Sequence, residues 1–468
     1  MNNAMNPPRF WVSALWLGLC TALCAQSEAA ATRPDTELAT AHEAWQAKWQ
    51  AFVAASMEAR KAGRIPKGAL LPEDVQKLQD AADADSLALL ARFGGREGLE
   101  ANSYLLLARL QETNRQYRAA VDLYAKALAR GKPQAPDTAT MHSLCIAAMN
   151  SKDDQLAARW MHELVEYEDR AKPAQRQLSV RTSYYPRTLI SLHDWKGLDA
   201  LVESLAKDTE LSCRIAATKF GIVSRLNKGD VGGAEQAVAA VMADQKTYAD
   251  DQAWAMSVHL ALLVHRGKFT AAADALREFL AAKRPEGSPE SAVDANQRRC
   301  LAAVAPFLCK PAPVLRIDRW VGGAIAGDDV WKALAGKVVL LDFWQPWCEP
   351  CRNAMPHLVA LQKKHAEDIQ VLGLCKVENY GYDVSEKKAV RPLTPEQYPA
   401  HVEDFRNDMQ LNYPLAIADT GANGEAYKIM GIPTLVIVDR HGIVRYMSCG
   451  AGEPGLLEIA VAGVLAAK

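Results

Sequence analysis

Residues 340–356 read LLDFWQPWCEPCRNAMP, and the architecture of the C-terminal part of the chain follows from them. This stretch continues the apolar, β-rich run KVVLLDF (337–343) and leads into an amphipathic segment from Asn353 to Lys364 with helical spacing. Cys348 and Cys351 therefore lie at a strand-to-helix junction, close enough for their sulfurs to bond. Because the free N–H groups and dipole of a helix N-terminus stabilise a thiolate, this pattern predicts a redox-active pair.

Two other interpretations of the cysteine pair are open. A zinc site needs two further ligands, and the sequence has no second Cys-x-x-Cys or comparable His pair, so we expect no metal and no cofactor. A structural disulfide suits an exported protein, but it does not require the flanking Phe343, Trp344 and Trp347. We favour redox chemistry.

The sequence after the cysteine pair continues with strands and helices. IQVLGLC (369–375) predicts a strand, PTLVIVD (433–439) and IVRYMS (443–448) predict a hairpin, and GLLEIAVAGVLAA (455–467) predicts a final helix. This order indicates an α/β domain with a mixed sheet.

Residues 34–299 are instead rich in Ala, Leu, Glu, Lys and Arg, with apolar residues at helical spacing. One helical pattern recurs at offsets of 38, 40, 36 and 38 residues, and its copies align on Ala120, Ala158, Leu198, Ala234 and Ala272. Helix–turn–helix units of this period resemble tetratricopeptide-like solenoids. We therefore predict a multidomain protein, with an all-α helical-repeat solenoid before the α/β domain.

The first residues, 1–31, have the build of a signal peptide. Arg9 precedes a short apolar core, and small residues follow it. We expect export to a bacterial periplasm, with a soluble mature chain that has lost Cys20 and Cys24.

A proline-containing segment, 300–313, is predicted as the linker between the helical repeats and the domain at 314–468. Cys300 and Cys309 lie within it and are either a local disulfide or two unrelated thiols. Cys375 and Cys449 occupy strand positions and are most simply core thiols, although a second redox pair is the alternative.

The charge balance excludes one class of partner. Lys and Arg number 54 and Asp and Glu 55, a net charge of −1. A general nucleic-acid binder needs an excess of cations, so we expect no nucleic-acid partner.

The motif DFW-x-x-WC-x-x-C, with GIPT at 431–434, resembles thioredoxin-like proteins, and GKVVLLDFW resembles the TlpA/ResA-type exported branch. The resemblance implies a thioredoxin fold over residues 312–468, with Cys348 as the attacking thiol and Cys351 as the resolving thiol. It also implies that Pro433 is a cis-proline facing the disulfide. Ile432 would then offer backbone hydrogen bonds to an extended substrate, and Trp347 would shield the site.

Asp342 stands six residues before Cys348 in an apolar strand, where it coincides with the buried acid of thioredoxin. A desolvated carboxyl has a raised pKa and can accept the proton of the resolving thiol. The alternative is an exposed aspartate at a strand end. The apolar neighbours favour burial.

We interpret the chain as an exported thiol–disulfide oxidoreductase of the protein disulfide reductase type. Glu349 favours reduction, because its negative charge disfavours the thiolate of Cys348. The expected partners are disulfide-bearing exported client proteins and a membrane electron donor; the oligomeric state is left open. One alternative is a tetratricopeptide-type scaffold with an accessory redox domain. The other is a peroxidase, whose P-x-x-x-T-x-x-C motif is absent.

The helical-repeat region, 34–300, is longer than redox chemistry requires. Solenoids commonly present extended surfaces that hold other proteins. We expect this region to recruit a client or donor, and residues 312–468 to fold and reduce generic substrates by themselves.

Overall fold

The computed structural model describes residues 35–64, 71–130, 138–171, 176–283, 291–325, 329–386, 388–450, 452 and 455–467. Their contacts divide the chain into two compact units, one reaching Phe220 and the other running from Gly221 onwards. The predicted signal peptide, 1–31, lies outside the described residues. None of the helices in the described ranges is long and apolar enough to span a membrane.

The described part of the first unit is helical, with a short π-helical segment at Val180–Tyr184. Its helices are α1 (Thr36–Lys61), α2 (Glu73–Phe93), α3 (Ala101–Thr113), α4 (Tyr117–Arg130), α5 (Thr138–Asn150), α6 (Asp154–Ala171), α7 (Tyr185–Ser191) and α8 (Trp195–Ala206), and α9 (Leu211–Asn227) crosses into the second unit. Consecutive helices from α1 to α8 pack against each other. The helical prediction is thus confirmed, and the tetratricopeptide-like assignment stays a prediction.

Two copies of the repeat have a glycine directly before the aligned residue, Gly197 and Gly233, and the cause is local. At the start of α8 the Asp194 side chain accepts a hydrogen bond from the Gly197 N–H at 2.8 Å, and a Cβ at Gly197 would collide with that carboxylate. Asp230 and Gly233 repeat the arrangement one period later. Glycine here makes room for the N-terminal cap.

The second unit continues with helices and then forms the α/β domain. Its helices are α10 (Val231–Ala243), α11 (Gln252–His265), α12 (Phe269–Ala281), α13 (Ala292–Val304), α14 (Val330–Ala333), α15 (Glu349–Lys364), α16 (Tyr398–Asp408), α17 (Ala422–Ala426) and α18 (Leu456–Ala466). Its strands are β1 (Arg319–Val321), β2 (Val338–Phe343), β3 (Ile369–Lys376), β4 (Gly381–Asp383), β5 (Lys388–Val390), β6 (Leu415–Ala418), β7 (Thr434–Val438) and β8 (Val444–Cys449).

Six of these strands form one mixed sheet in the order β1-β6-β3-β2-β7-β8. The central strand β2 runs parallel to β3 and antiparallel to β7, and all six of its residues are buried. The predicted mixed α/β domain is confirmed. Strands β4 and β5 form a separate hairpin in the insert, the segment between β3 and β6 (residues 377–414).

Helices α10 to α13 share one hydrophobic core with this sheet. Helix α11 packs on α18, where the His265 Nδ1 lies 3.1 Å from the Ile459 carbonyl oxygen. Residues 312–468 alone would lose this cover over the apolar α18. The packing therefore argues against their folding as a separate domain.

The segment predicted as a linker, 300–313, is built into the same unit. Its first residues are the end of α13, and the Cys309 and Ala312 N–H groups bond to the carbonyls of Val444 and Gly442 at 2.9 Å. The contact boundary at 220/221 thus falls well before the boundary expected from composition. Helix α13 ends at Val304, and the chain then follows the β7–β8 hairpin.

Candidate active site

Cys348 and Cys351 lie where β2 leads into α15. Cys348 is the N-terminal capping residue of α15, and its Sγ accepts a hydrogen bond from the Cys351 N–H at 3.2 Å. Pro350 lies in the first turn, where backbone N–H groups have no partner within the helix. Because proline has no N–H, it leaves no such group unpaired. The two sulfurs form a disulfide, with Cα atoms 5.3 Å apart. The N-terminal turn of the helix is thus directed at the Cys348 sulfur, where it favours a thiolate on reduction.

The two cysteines differ in access. Cys348 is 4% exposed, whereas Cys351 is fully buried. A partner's sulfur can therefore approach Cys348 more readily than Cys351.

An aromatic surface adjoins the disulfide. The side chain of Trp347 is 38% exposed, and its ring lies 5.6 Å from that of Tyr380 in the insert. The Arg352 guanidinium lies 3.8 Å from the centre of the Tyr382 ring and donates a hydrogen bond to the Pro346 carbonyl at 2.7 Å. Burial lowers the pKa of Arg352. The insert therefore contributes side chains to the surroundings of the site.

The GIPT loop lies at the same end of the sheet. The Ile432–Pro433 peptide bond is cis, and Thr434 pairs with Phe343 at the end of β2. The Thr434 hydroxyl donates a hydrogen bond to the Gly431 carbonyl at 2.7 Å, and the Gly450 N–H donates to the Pro433 carbonyl at 2.7 Å. These hydrogen bonds hold the GIPT loop beside the C-terminal end of β2, the strand that leads to Cys348.

Asp342 is fully enclosed within β2. It pairs with Gly373 of β3 on one side and with Leu435 of β7 on the other. Neither carboxylate oxygen has a hydrogen-bond partner among the described residues. Burial raises the pKa of this carboxyl to about 8, so it retains its proton near neutral pH.

Further buried polar groups surround the same region. Tyr398 of α16 donates a hydrogen bond to the Gln345 Oε1 at 2.5 Å, and Asp342 acts electrostatically on both Cys375 and Tyr413. Burial raises the pKa of the Cys375 thiol. Cys375 therefore stays protonated and unreactive.

Residues 310–447 match the AhpC/TSA family. The C-terminal part of this chain is similar to thiol–disulfide oxidoreductases. It is 32% identical over 115 residues to the thioredoxin-like protein YneN of Bacillus subtilis, covering 25% of this chain and 58% of that protein. It is 31% identical to the thiol–disulfide oxidoreductase ResA of Halalkalibacterium halodurans, and the match covers 26% of this chain and 60% of that protein. A third relative, the sporulation thiol–disulfide oxidoreductase A of B. subtilis, is 25% identical, and the match covers 27% of this chain and 67% of that protein.

The chain thus spans little more than half the length of the first of these relatives. The matches lie in the thioredoxin-like part and leave the preceding helices unassigned.

The structure brings most of the predicted site residues to one end of the sheet. The segment that follows the end of β2 carries Trp347, Cys348 and Cys351. The loop of Ile432 and Pro433 lies beside that strand end. Two features were not assigned from the sequence. From the sequence, Tyr380 is equally compatible with a substrate groove and an ordinary surface loop, and the approach of Cys300 to Cys449 has no sequence signal because 149 positions separate them.

Proposed function

We propose that this protein is an exported thiol–disulfide oxidoreductase that reduces disulfides in other exported proteins. The observation that carries the proposal is the Cys348–Cys351 disulfide, which the N-terminal turn of α15 holds at the end of β2. The exposed Trp347 beside it, next to Tyr380, suits an apolar peptide segment. The sequence at 1–31 supports export.

The reduced protein would begin the reaction. The Cys348 thiolate attacks one sulfur of a client disulfide, which forms a mixed disulfide and releases one client thiol. Cys351 then gives up its proton and attacks the Cys348 sulfur. This step releases the second client thiol and leaves the Cys348–Cys351 disulfide, so two electrons pass to the client.

Asp342 would accept the Cys351 proton in its ionised form, whose share rises as the pH approaches 8. Its buried carboxyl has a pKa near the working pH, which is the condition for efficient proton exchange. A carboxyl of ordinary pKa would be too weak a base for a thiol.

A membrane electron-transfer protein would return two electrons to the disulfide and restore the dithiol. Glu349 follows Cys348 directly and opposes a stable thiolate, which favours a reducing couple over a strongly oxidising one.

The helices of the first unit would form a tetratricopeptide-like surface that holds the client or the donor. Consecutive packing of α1 to α8 supports this part of the proposal. The test compares the full chain with a chain starting at Asp208, which keeps α9 whole. We expect similar rates with insulin and a raised KM for the native partner in the shorter chain. Equal capture of periplasmic clients by both would leave the helices without a recruiting role.

The reaction is tested by trapping. Cys351→Ala should accumulate mixed disulfides with clients, whereas Cys348→Ala should trap none, and Cys375→Ser serves as the control. Insulin reduction and peroxide consumption, measured side by side, separate the alternatives. Consumption of peroxide without insulin reduction would indicate a peroxidase, and neither activity would indicate a scaffold.

A further inference from the structure

A second pair of cysteines faces each other away from the Cys348–Cys351 disulfide. Cys300 belongs to α13 and Cys449 is the last residue of β8, yet their Sγ atoms are 2.8 Å apart. This distance is well below the roughly 3.5–4.0 Å of ordinary contacts between heavy atoms. Both residues are partly exposed. The side chains are therefore aimed at each other and open to small reagents.

We propose that Cys300 and Cys449 are a second dithiol/disulfide couple of this protein, formed by exchange with small-molecule or protein disulfides. Closing the bond requires the sulfurs to move from 2.8 Å to about 2.05 Å.

The surroundings assign different roles to the two sulfurs. The hydrogen bond from Cys300 lowers the pKa of Cys449, and the Thr434 side chain adds to this effect. The same contact and burial raise the pKa of Cys300. Cys449, which accepts the Cys300 hydrogen bond, is thus favoured as the thiolate that attacks, and Cys300 as the thiol that completes the bond.

The exchange balances without another reactant. Cys449 attacks an external disulfide R–S–S–R, which forms a mixed disulfide and releases one R–S⁻. Cys300 then loses its proton and attacks the Cys449 sulfur, which releases the second R–S⁻. Two protein thiols are oxidised, and one external disulfide is reduced to two thiols.

Cys309, the other thiol in this region, is placed differently. Its Sγ lies 3.8 Å from an Nη of Arg445, on the part of β8 away from Cys449. The local Cys300–Cys309 disulfide considered from the sequence is therefore not the arrangement found.

Backbone contacts connect the Cys300–Cys449 pair to the GIPT loop, residues 431–434. Cys449 pairs in register with Thr434, and the next residue, Gly450, donates its N–H to the Pro433 carbonyl. A Cys300–Cys449 disulfide would fasten α13 to the strand end that holds the cis-proline loop. The consequence for substrates rests on the proposed function: oxidation should change KM for a protein disulfide.

The test uses the full-length Cys348→Ser/Cys351→Ser variant, so that it does not depend on the proposed activity. After incubation with oxidised glutathione, free thiols are alkylated and the digest is analysed by mass spectrometry. We expect a linked Cys300–Cys449 peptide, lighter by two hydrogens, that disappears on reduction. Cys300→Ser, added to this variant, should instead keep glutathione on Cys449, and Cys309→Ser should leave the linked peptide unchanged.

Full alkylation of Cys300 and Cys449 after this treatment would overturn the proposal, as would a persistent glutathione adduct on Cys449 with Cys300 present. If the double variant does not fold, the same digest of the unsubstituted chain resolves the two couples, because they lie in different peptides. A linked Cys300–Cys449 peptide, together with no insulin reduction by the unsubstituted chain, would refute the proposed function alone.

Discussion

Gly463 of α18 packs directly against the backbone of His265 in α11. A Cβ at Gly463 would approach the His265 N to 2.8 Å and overlap the Cα of the same residue. Since backbone atoms cannot rotate away, this glycine sets the distance between the two helices.

Gly463→Ala should therefore destabilise the second unit by about 1–3 kcal/mol, the usual cost of overpacking. Gly232→Ala in α10 is the matched control, because no other segment of the described residues comes within 4 Å of its added Cβ. It should be neutral or stabilising by up to about 1 kcal/mol, as Ala favours helix. Urea unfolding of both variants measures the difference. Equal midpoints would mean that α11 and α18 separate easily.

Removal of helices α10 to α13, which precede the sheet, should lower the stability of the second unit. A chain starting at Asp208 keeps α10 to α13 and the shared core, and we expect a cooperative thermal transition. A chain starting at Ala312 exposes the apolar face of α18, and we expect aggregation or a much lower Tm. Similar Tm values for the two chains would show that the sheet does not need α11.

Asp342→Asn should change the pH dependence of both stability and reaction. The folded carboxyl holds its proton up to about pH 8, whereas the unfolded chain releases it near pH 4. The folded state therefore binds more protons in this window, and its free energy of unfolding falls by up to about 1.4 kcal/mol per pH unit as pH rises. The amide side chain of the variant does not titrate, so this slope should disappear from urea unfolding between pH 5 and 8.

The same substitution should slow the decay of the mixed disulfide. Loss of a proton acceptor costs on the order of 10²-fold, and single-turnover kinetics between pH 6 and 9 would measure it. Glu367→Gln, an exposed acid, is the control. Unchanged decay together with a lost stability slope would restrict Asp342 to a structural role.

Tyr380→Ala should weaken binding of peptide substrates, because it removes the ring next to Trp347. Aromatic pairs contribute about 0.5–1.5 kcal/mol, which corresponds to a roughly 2- to 13-fold rise in KM. Tyr380→Phe keeps the ring and should behave like the unsubstituted protein. An effect on the reduction potential of Cys348–Cys351, instead of KM, would contradict a binding role.

The features that could be predicted from sequence are those with local causes. Cys348 and Cys351 follow an apolar strand and open a helix within a few residues, so their placement needed no distant contact. The sequence Thr394–Pro395–Glu396–Gln397 predicts a capping-box start for a helix reaching about Met409. Thr394 and Gln397 do exchange hydrogen bonds, but the regular helix begins only at Tyr398.

The remaining features depend on contacts between distant segments. The repeat alignment placed Ala158 in register, yet Ala158 is only half-buried in α6 and the neighbouring Ala157 is buried. Cys300 and Cys449 carry no shared motif, and helix α11 gave no sign in sequence of its partner α18. Composition marked a boundary near residue 300, but packing is decided by which apolar faces meet.

The contact between His265 and Ile459 also constrains the order of folding. The two residues are 194 positions apart, so α18 is synthesised long after α11. Until α18 has been made, the apolar side of α11 that it covers stays exposed. The second unit should therefore fold late, and its exposed helical surface favours aggregation in the interval.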